Sequence, residues 1–284
     1  MKLPAAILAI VTIILLGACT QSDKKKTIVS NGNNVSKTTI DEEKPQNIDS
    51  IRLDSILQEA VKICAQDIHN ETFKKEYIAT MPDSSFQVHI RINSGFIFTK
   101  EHPHLIIRRY TPDLIYINIF AKTGNGFQQV LSHSESHLEY TGDTIRDING
   151  DNLKDFVVNR YGSSGCCLKA FSNVYLLRSD NRSFSNNIEF INPTFSPEEH
   201  IIRGVCYGQP GETDLYKYRW NNETVDTVEY ISYEKNNKEQ KTGKLIVSDH
   251  RPYGSNYKVL RQLNSVPAEY KKIEGYNWFT GKGY

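Results

Sequence analysis

The sequence predicts a mainly β chain, built of antiparallel hairpins in a propeller-like meander and opened by one amphipathic helix. Three observations carry this. Apolar and polar residues alternate over short runs, as in Phe86, Val88, Ile90 and Ile92 and again in Ile115, Ile117 and Ile119, which turns one face of a strand to a core and the other to water. Polar turn signals recur between such runs, at Gly124-Asn125-Gly126, Asp180-Asn181 and Asn221-Asn222, and each joins two strand-like segments as a hairpin. One stretch departs from period two: Leu53, Ile56, Leu57, Ala60, Val61 and Cys64 fall at helical spacing, with Asp49 or Ser50 placed to cap. The apolar stripe of that helix needs a partner, and the rest of the chain offers a sheet.

Residues 1–18 hold Lys2 and an apolar run from Leu3 to Leu16, the anatomy of an export signal peptide and marginal for a permanent span of about 20 apolar residues. Leu16-Gly17-Ala18-Cys19 resembles the lipobox of bacterial lipoproteins. The resemblance implies that Cys19 opens the mature chain and carries acyl chains of the palmitate kind, several of which anchor stably where one does not. Residues 19–50 are then the lipidated cysteine and a polar tether, with Lys24-Lys25-Lys26 and Asp41-Glu42-Glu43. Its few apolar residues predict disorder, with a reach of roughly 100 Å if extended. Thr20, not Asp, follows Cys19, which in Gram-negative lipoproteins implies the outer membrane, with the domain facing periplasm or surface.

Residues 51–284 are expected to form the β-rich globular domain. Its last segment offers a hairpin around Asn264 to Pro267 and an aromatic tail, Tyr276, Trp278, Phe279 and Tyr284, that packs down as a closing strand. The chain has 284 residues, of which 38% are hydrophobic, enough for a sizeable core. A net charge of +1 gives no reason to expect nucleic acid as a partner.

One motif carries chemistry. Asp147-Ile148-Asn149-Gly150-Asp151-Asn152-Leu153-Lys154-Asp155 places side-chain oxygens at loop positions 1, 3, 5 and 9, with the Leu153 carbonyl at 7, the arrangement hard cations favour. Asn152 stands at position 6, where the sharp turn of an EF-hand uses Gly, and Asn tolerates the left-handed conformation. Position 12 is Val158 rather than a bidentate Glu, so the loop is not a complete EF-hand. It resembles the calcium loops of FG-GAP/VCBS-type blades, and the resemblance implies a structural Ca2+ held by Asp147, Asn149, Asp151, Leu153 and Asp155, with Asp143 or water completing the shell. The alternative is a polar Asx-turn with no ion. From Asp143 to Tyr230 the pattern also resembles exported lipoproteins that inhibit lysozyme or confer immunity to wall-degrading effectors; no inhibitory residue can be matched.

Export permits disulfides. Of Cys64, Cys166, Cys167 and Cys206, a bridge from Cys166 or Cys167 to Cys206 is preferred, because adjacent cysteines close a strained ring; all four buried and reduced is the alternative. His133 and His137 have the i, i+4 spacing that holds zinc on a helix. His102-Pro103-His104 falls in a loop, and Gly162-Ser163-Ser164-Gly165 is not the G-x-S-x-G of a nucleophile elbow. With no catalytic constellation in sequence, the expectation is a membrane-anchored, calcium-stabilised binding module for an as yet unidentified protein or glycan, an inhibitor or immunity protein being one version. A cell-envelope hydrolase whose carboxylates meet only in the fold is the alternative.

Overall fold

Helix α1 (Ile48–Gln66) opens the computed structural model, which describes residues 48–66, 72–81, 85–124, 126–252 and 256–282. The expectations for residues 1–18, Cys19 and the tether as far as residue 47 lie outside the described residues. The helix starts slightly before its expected cap, with Asp49 inside the first turn, where a carboxylate favours the positive end of the helix dipole. Its stripe is used as predicted: Ile56, Leu57, Ala60 and Cys64 are buried against Val88, Ile90, Ile92, Leu105 and Ile107.

The rest folds into three antiparallel sheets that follow one another along the chain, each a meander with strands in sequence order. The first contains β1 (Thr72–Thr80), β2 (Gln87–Gly95), β3 (His104–Tyr110), β4 (Leu114–Thr123) and β5 (Gly126–Ser136). The second contains β6 (Tyr140–Arg146), β7 (Asp155–Tyr161), β8 (Ala170–Tyr175) and β9 (Ile188–Ile191). The third contains β10 (Pro193–Ser196), β11 (Ile201–Val205), β12 (Leu215–Asn221), β13 (Thr224–Lys235), β14 (Lys241–Ser248) and β15 (Val259–Leu263). Gly124, Asn181 and Asn222 take left-handed φ of 52°, 57° and 53° at the three predicted hairpin turns, a conformation Gly and Asn adopt at least cost.

Alternation along the strands stacks the sheets face to face. Leu105 and Ile107 of β3 face α1, whereas Ile106 meets Phe156, Val158 and Tyr175 of the second sheet. Val157, Val174 and Phe190 point the other way, onto Ile202, Tyr216 and Trp220 of the third. The second sheet is thus covered on both faces, and this explains why Phe156-Val157-Val158 is an unbroken apolar run.

The C-terminal segment departs from expectation. Among the described residues no strand follows β15; a 3-10 helix (Ala268–Lys272) and a short helix α2 (Tyr276–Thr280) stand in place of the hairpin and closing strand. Gly275 (φ 74°) and Gly281 (φ 68°) bracket α2 in left-handed conformations, which coil five residues into a turn instead of extending them. The aromatic residues still pack down: Tyr270, Trp278 and Phe279 are buried against Val205, Leu215, Ile231, Leu245 and Val247 on the outer face of the third sheet. No described helix is long and apolar enough to cross a membrane.

Candidate functional site

The acidic loop, residues 147–154, joins β6 to β7 at one end of the second sheet. It turns through Gly150 (φ 86°) and Asn152 (φ 68°), so Asn152 adopts the conformation its position required. The Asp147 carboxylate accepts the amides of Gly150 (2.6 Å) and Asn152 (2.8 Å), Asn149 Oδ1 accepts that of Asp151 (3.1 Å), and Asp151 Oδ1 accepts that of Leu153 (2.8 Å). His200 closes the loop from outside, its Nδ1 lying 2.6 Å from the Asn149 carbonyl oxygen. A side chain at Gly150 would collide with the Pro197 carbonyl and the His200 ring.

Asp155 behaves differently. It is fully buried, and its two oxygens accept the amides of Ile148 and Leu177, each at 2.9 Å. It therefore clasps the loop to the segment that follows β8. Burial pushes its carboxyl up to about 7, against the pull of the two amides and with the charges of Asp151 and Asp147 adding to the rise. Asp143 is also committed elsewhere: Arg108 binds it through two hydrogen bonds (2.7 and 2.5 Å), and the Tyr140 hydroxyl donates a third (2.6 Å). Among the described residues no three His, Cys, Asp or Glu side chains converge as a metal cluster. What the loop offers a hard cation is a mixed oxygen set, the carboxylates of Asp147 and Asp151 and the amide of Asn149, whose chemistry suits calcium better than zinc.

At the other end of β7, residues 162–169 lead to β8 over a charged cluster. Arg160 reaches Glu139 (3.0 Å), Glu189 (2.8 Å) and Glu135 (3.5 Å), and its guanidinium stacks 3.9 Å from the Phe171 ring centroid. Glu135 also faces His133 Nε2 at 3.7 Å, and His133 Nδ1 lies 2.7 Å from the Tyr175 hydroxyl. Burial pushes the His133 pKa down while Glu135 pulls it up. Hydrogen bonds from the Ser163 amide and hydroxyl hold Glu139 below the usual carboxylate range, the reverse of what a general acid at neutral pH needs. A cleft of about 320 Å³ adjoins this loop, lined by Arg160, Tyr161, Leu168, Phe171, Asn192 and Gly275 among others.

Sequence reading missed this cluster. The signal was His133 and Glu135, two residues apart and so on one face of a strand, but the i, i+4 histidines drew attention to a helix. His133 pairs with Ile117 inside β5, so the zinc spacing is not realised.

No disulfide is present among the described residues, and the expected bridge to Cys206 is not formed. Cys206 packs between the second and third sheets, whereas Cys167 packs on the opposite face of the third sheet. Val205 and Cys206 are neighbours that point to opposite faces, so the thiol is turned away from Cys167.

No family model matches the sequence, and no curated protein sequence matches it. A solved structure described as that of a Xanthomonas type IV secretion system related protein is similar at 12% identity and a TM-score of 0.33, over 66% of this chain and 93% of that one. A likeness at that level carries no argument about fold or function.

Proposed function

We propose that this chain is a non-catalytic binding module of the cell envelope, held to a membrane through lipid on Cys19, and that the β7–β8 loop is its recognition element. The observation that carries the reading is the state of that loop. Tyr161, Ser163, Ser164 and Gly165 are exposed, yet the loop is fixed. Ser163 donates its amide (3.0 Å) and hydroxyl (2.8 Å) to Glu139, and the Gly162 amide donates to the Lys169 carbonyl (2.9 Å). An exposed loop that is already ordered loses little entropy on docking. The ion pairs beneath it tie Glu135 and Glu139 to Arg160, which favours a structural role for these carboxylates over proton transfer.

The partner class is an envelope protein or glycan, and inhibition of a wall-degrading muramidase is its sharpest version. The test compares the full lipidated chain with Ser164→Arg, a bulky change at an exposed position, for capture of envelope components and for muramidase inhibition. A partner retained by the wild type and lost by a normally folded Ser164→Arg supports the reading; equal capture by both rejects the loop as the recognition element. Turnover of peptidoglycan or ester substrates that Glu135→Gln abolishes would favour the hydrolase instead.

The same reading assigns a structural calcium to Asp147, Asn149, Asp151 and the Leu153 carbonyl, with Asp155 as the clasp beneath. A divalent cation offsets the repulsion among these carboxylates, which supports it. The expected outcome is a melting temperature that falls in chelator, with the dependence lost in Asp147→Ala and Asp151→Ala. Identical melting of the wild type in calcium and in chelator rejects the ion.

A further inference from the structure

We infer that Cys166 and Cys167 form a redox-active dithiol that exchanges with small external disulfides and closes on itself as a reversible cystine ring. The two Sγ atoms lie 4.0 Å apart. Cys166 is exposed at the tip of the β7–β8 loop, and Cys167 is buried beneath it. Gln209 Nε2 sits 3.0 Å from Cys166 Sγ, so a donor faces the sulfur that would carry negative charge. That bond first, then the neighbouring thiol, and more weakly the Lys169 ammonium, lower the pKa of Cys166. Cys167 is the next residue along the chain, so the backbone itself holds the second sulfur beside the first.

The other described cysteines cannot take this part. Burial pushes the Cys206 thiol up to about 12, leaving almost no thiolate, and it faces a different core. Cys64 belongs to the core between α1 and the first sheet. Cys167 is therefore the thiol placed to resolve a disulfide formed on Cys166.

The exchange balances in two steps. Cys166 thiolate attacks one sulfur of a disulfide R–S–S–R, forming Cys166–S–S–R and releasing RS⁻. Cys167 then loses its proton and attacks Cys166 Sγ; the Cys166–Cys167 bond forms, the bond to R breaks, and the second RS⁻ leaves and takes up the proton. Two thiols lose two electrons in all, and one external disulfide is reduced to two thiols. Adjacent Cα atoms stand about 3.8 Å apart across a trans peptide, short of the roughly 4.4–6.8 Å of ordinary disulfides. The ring is consequently strained and easily reduced, the property of a labile site and not of a structural staple. This inference is independent of what the loop binds.

The test treats the folded full-length chain with oxidised glutathione, alkylates it, and reads the tryptic peptide of residues 161–169, which carries both thiols. The expected product is that peptide unalkylated and lighter by two hydrogens, restored by reductant. Before oxidation, Cys166 should alkylate more than about tenfold faster than Cys206. Cys167→Ser should trap glutathione on Cys166, whereas Cys166→Ser should not react while folded. Independent alkylation of both thiols after oxidation, a bridge to Cys206 or Cys64, or equal reactivity of the two variants overturns the inference. The wild-type measurement decides the matter even where a variant unfolds.

Discussion

Asp155, the first residue of β7, carries more of the fold than any side chain in the acidic loop before it, because both its oxygens serve buried amides. Asp155→Ala leaves the Ile148 and Leu177 amides buried and unmatched at about 1–3 kcal/mol each, whereas Asn keeps one acceptor and costs less. Urea denaturation at unchanged m-value should therefore order stability as wild type, then Asn, then Ala. Equal midpoints for all three would remove the clasp. His104 offers a test in pH. It is fully buried against Phe98 and Phe184, with Nδ1 3.0 Å from the His102 carbonyl oxygen, and burial lowers its pKa from 6.5. The unfolded chain takes up a proton below that value while the folded one resists it, so stability is lost as pH falls through the unfolded pKa toward the folded one. Asp155, with its pKa raised, acts in the opposite sense, so the decisive comparison is between proteins that differ only at residue 104. Between about pH 7.5 and pH 5.5, the stability difference should move in favour of His104→Gln; a constant difference would show that His104 titrates alike in both states. At this scale the sequence displayed the oxygen atoms but not their claimants. Asp143 read as a spare ligand until Arg108, 35 residues away in sequence, took it.

Elements were legible wherever their periodicity was local and long. The stripe of α1, the alternation of β2 and β4 and the three hairpin turns each show in ten or so residues what their surroundings require. The C-terminal tail was not legible, because five residues are too few to separate a strand from a helical turn; the two glycines at its ends settled it. Contacts between elements were equally hidden. Gly204 of β11 pairs in register with Tyr216 of β12, and a Cβ there would collide with the tyrosine ring. That ring is nearly fully buried, stacks on Tyr218 at 4.6 Å and donates its hydroxyl to the Ile191 carbonyl at 2.7 Å. It has nowhere to move. Gly204→Ala, a mild change in an ordinary strand, should cost about 1–3 kcal/mol through overpacking. A neutral result in thermal or urea unfolding would mean that the ring yields at no cost.

The whole domain is a stack in which each layer is covered by the next: α1, the first sheet, the second, the third, and then the C-terminal helices. Only the second sheet has a sheet on either side, so the first and third depend on their helical covers. Periodicity predicted two-faced strands, but the order of stacking depends on pairings between segments distant in sequence, which no local pattern records. The lower cover provides the sharpest test. Tyr270, Ile273, Trp278 and Phe279 are all buried or nearly so over the outer face of the third sheet, and burying a large apolar side chain is worth about 1.5–3 kcal/mol. Four of them amount to a large part of the roughly 5–15 kcal/mol by which domains are stable. Ending the chain after Leu263 should therefore expose Val205, Leu215, Ile231, Leu245 and Val247 together. The expected product is an aggregating or dye-binding state with a weakened near-ultraviolet signal, since a bare apolar sheet face of that size does not persist in water. A truncated chain that stays monomeric and melts cooperatively within about 2 °C of the intact one would show that the third sheet stands without its cover, and the stack would then end at β15.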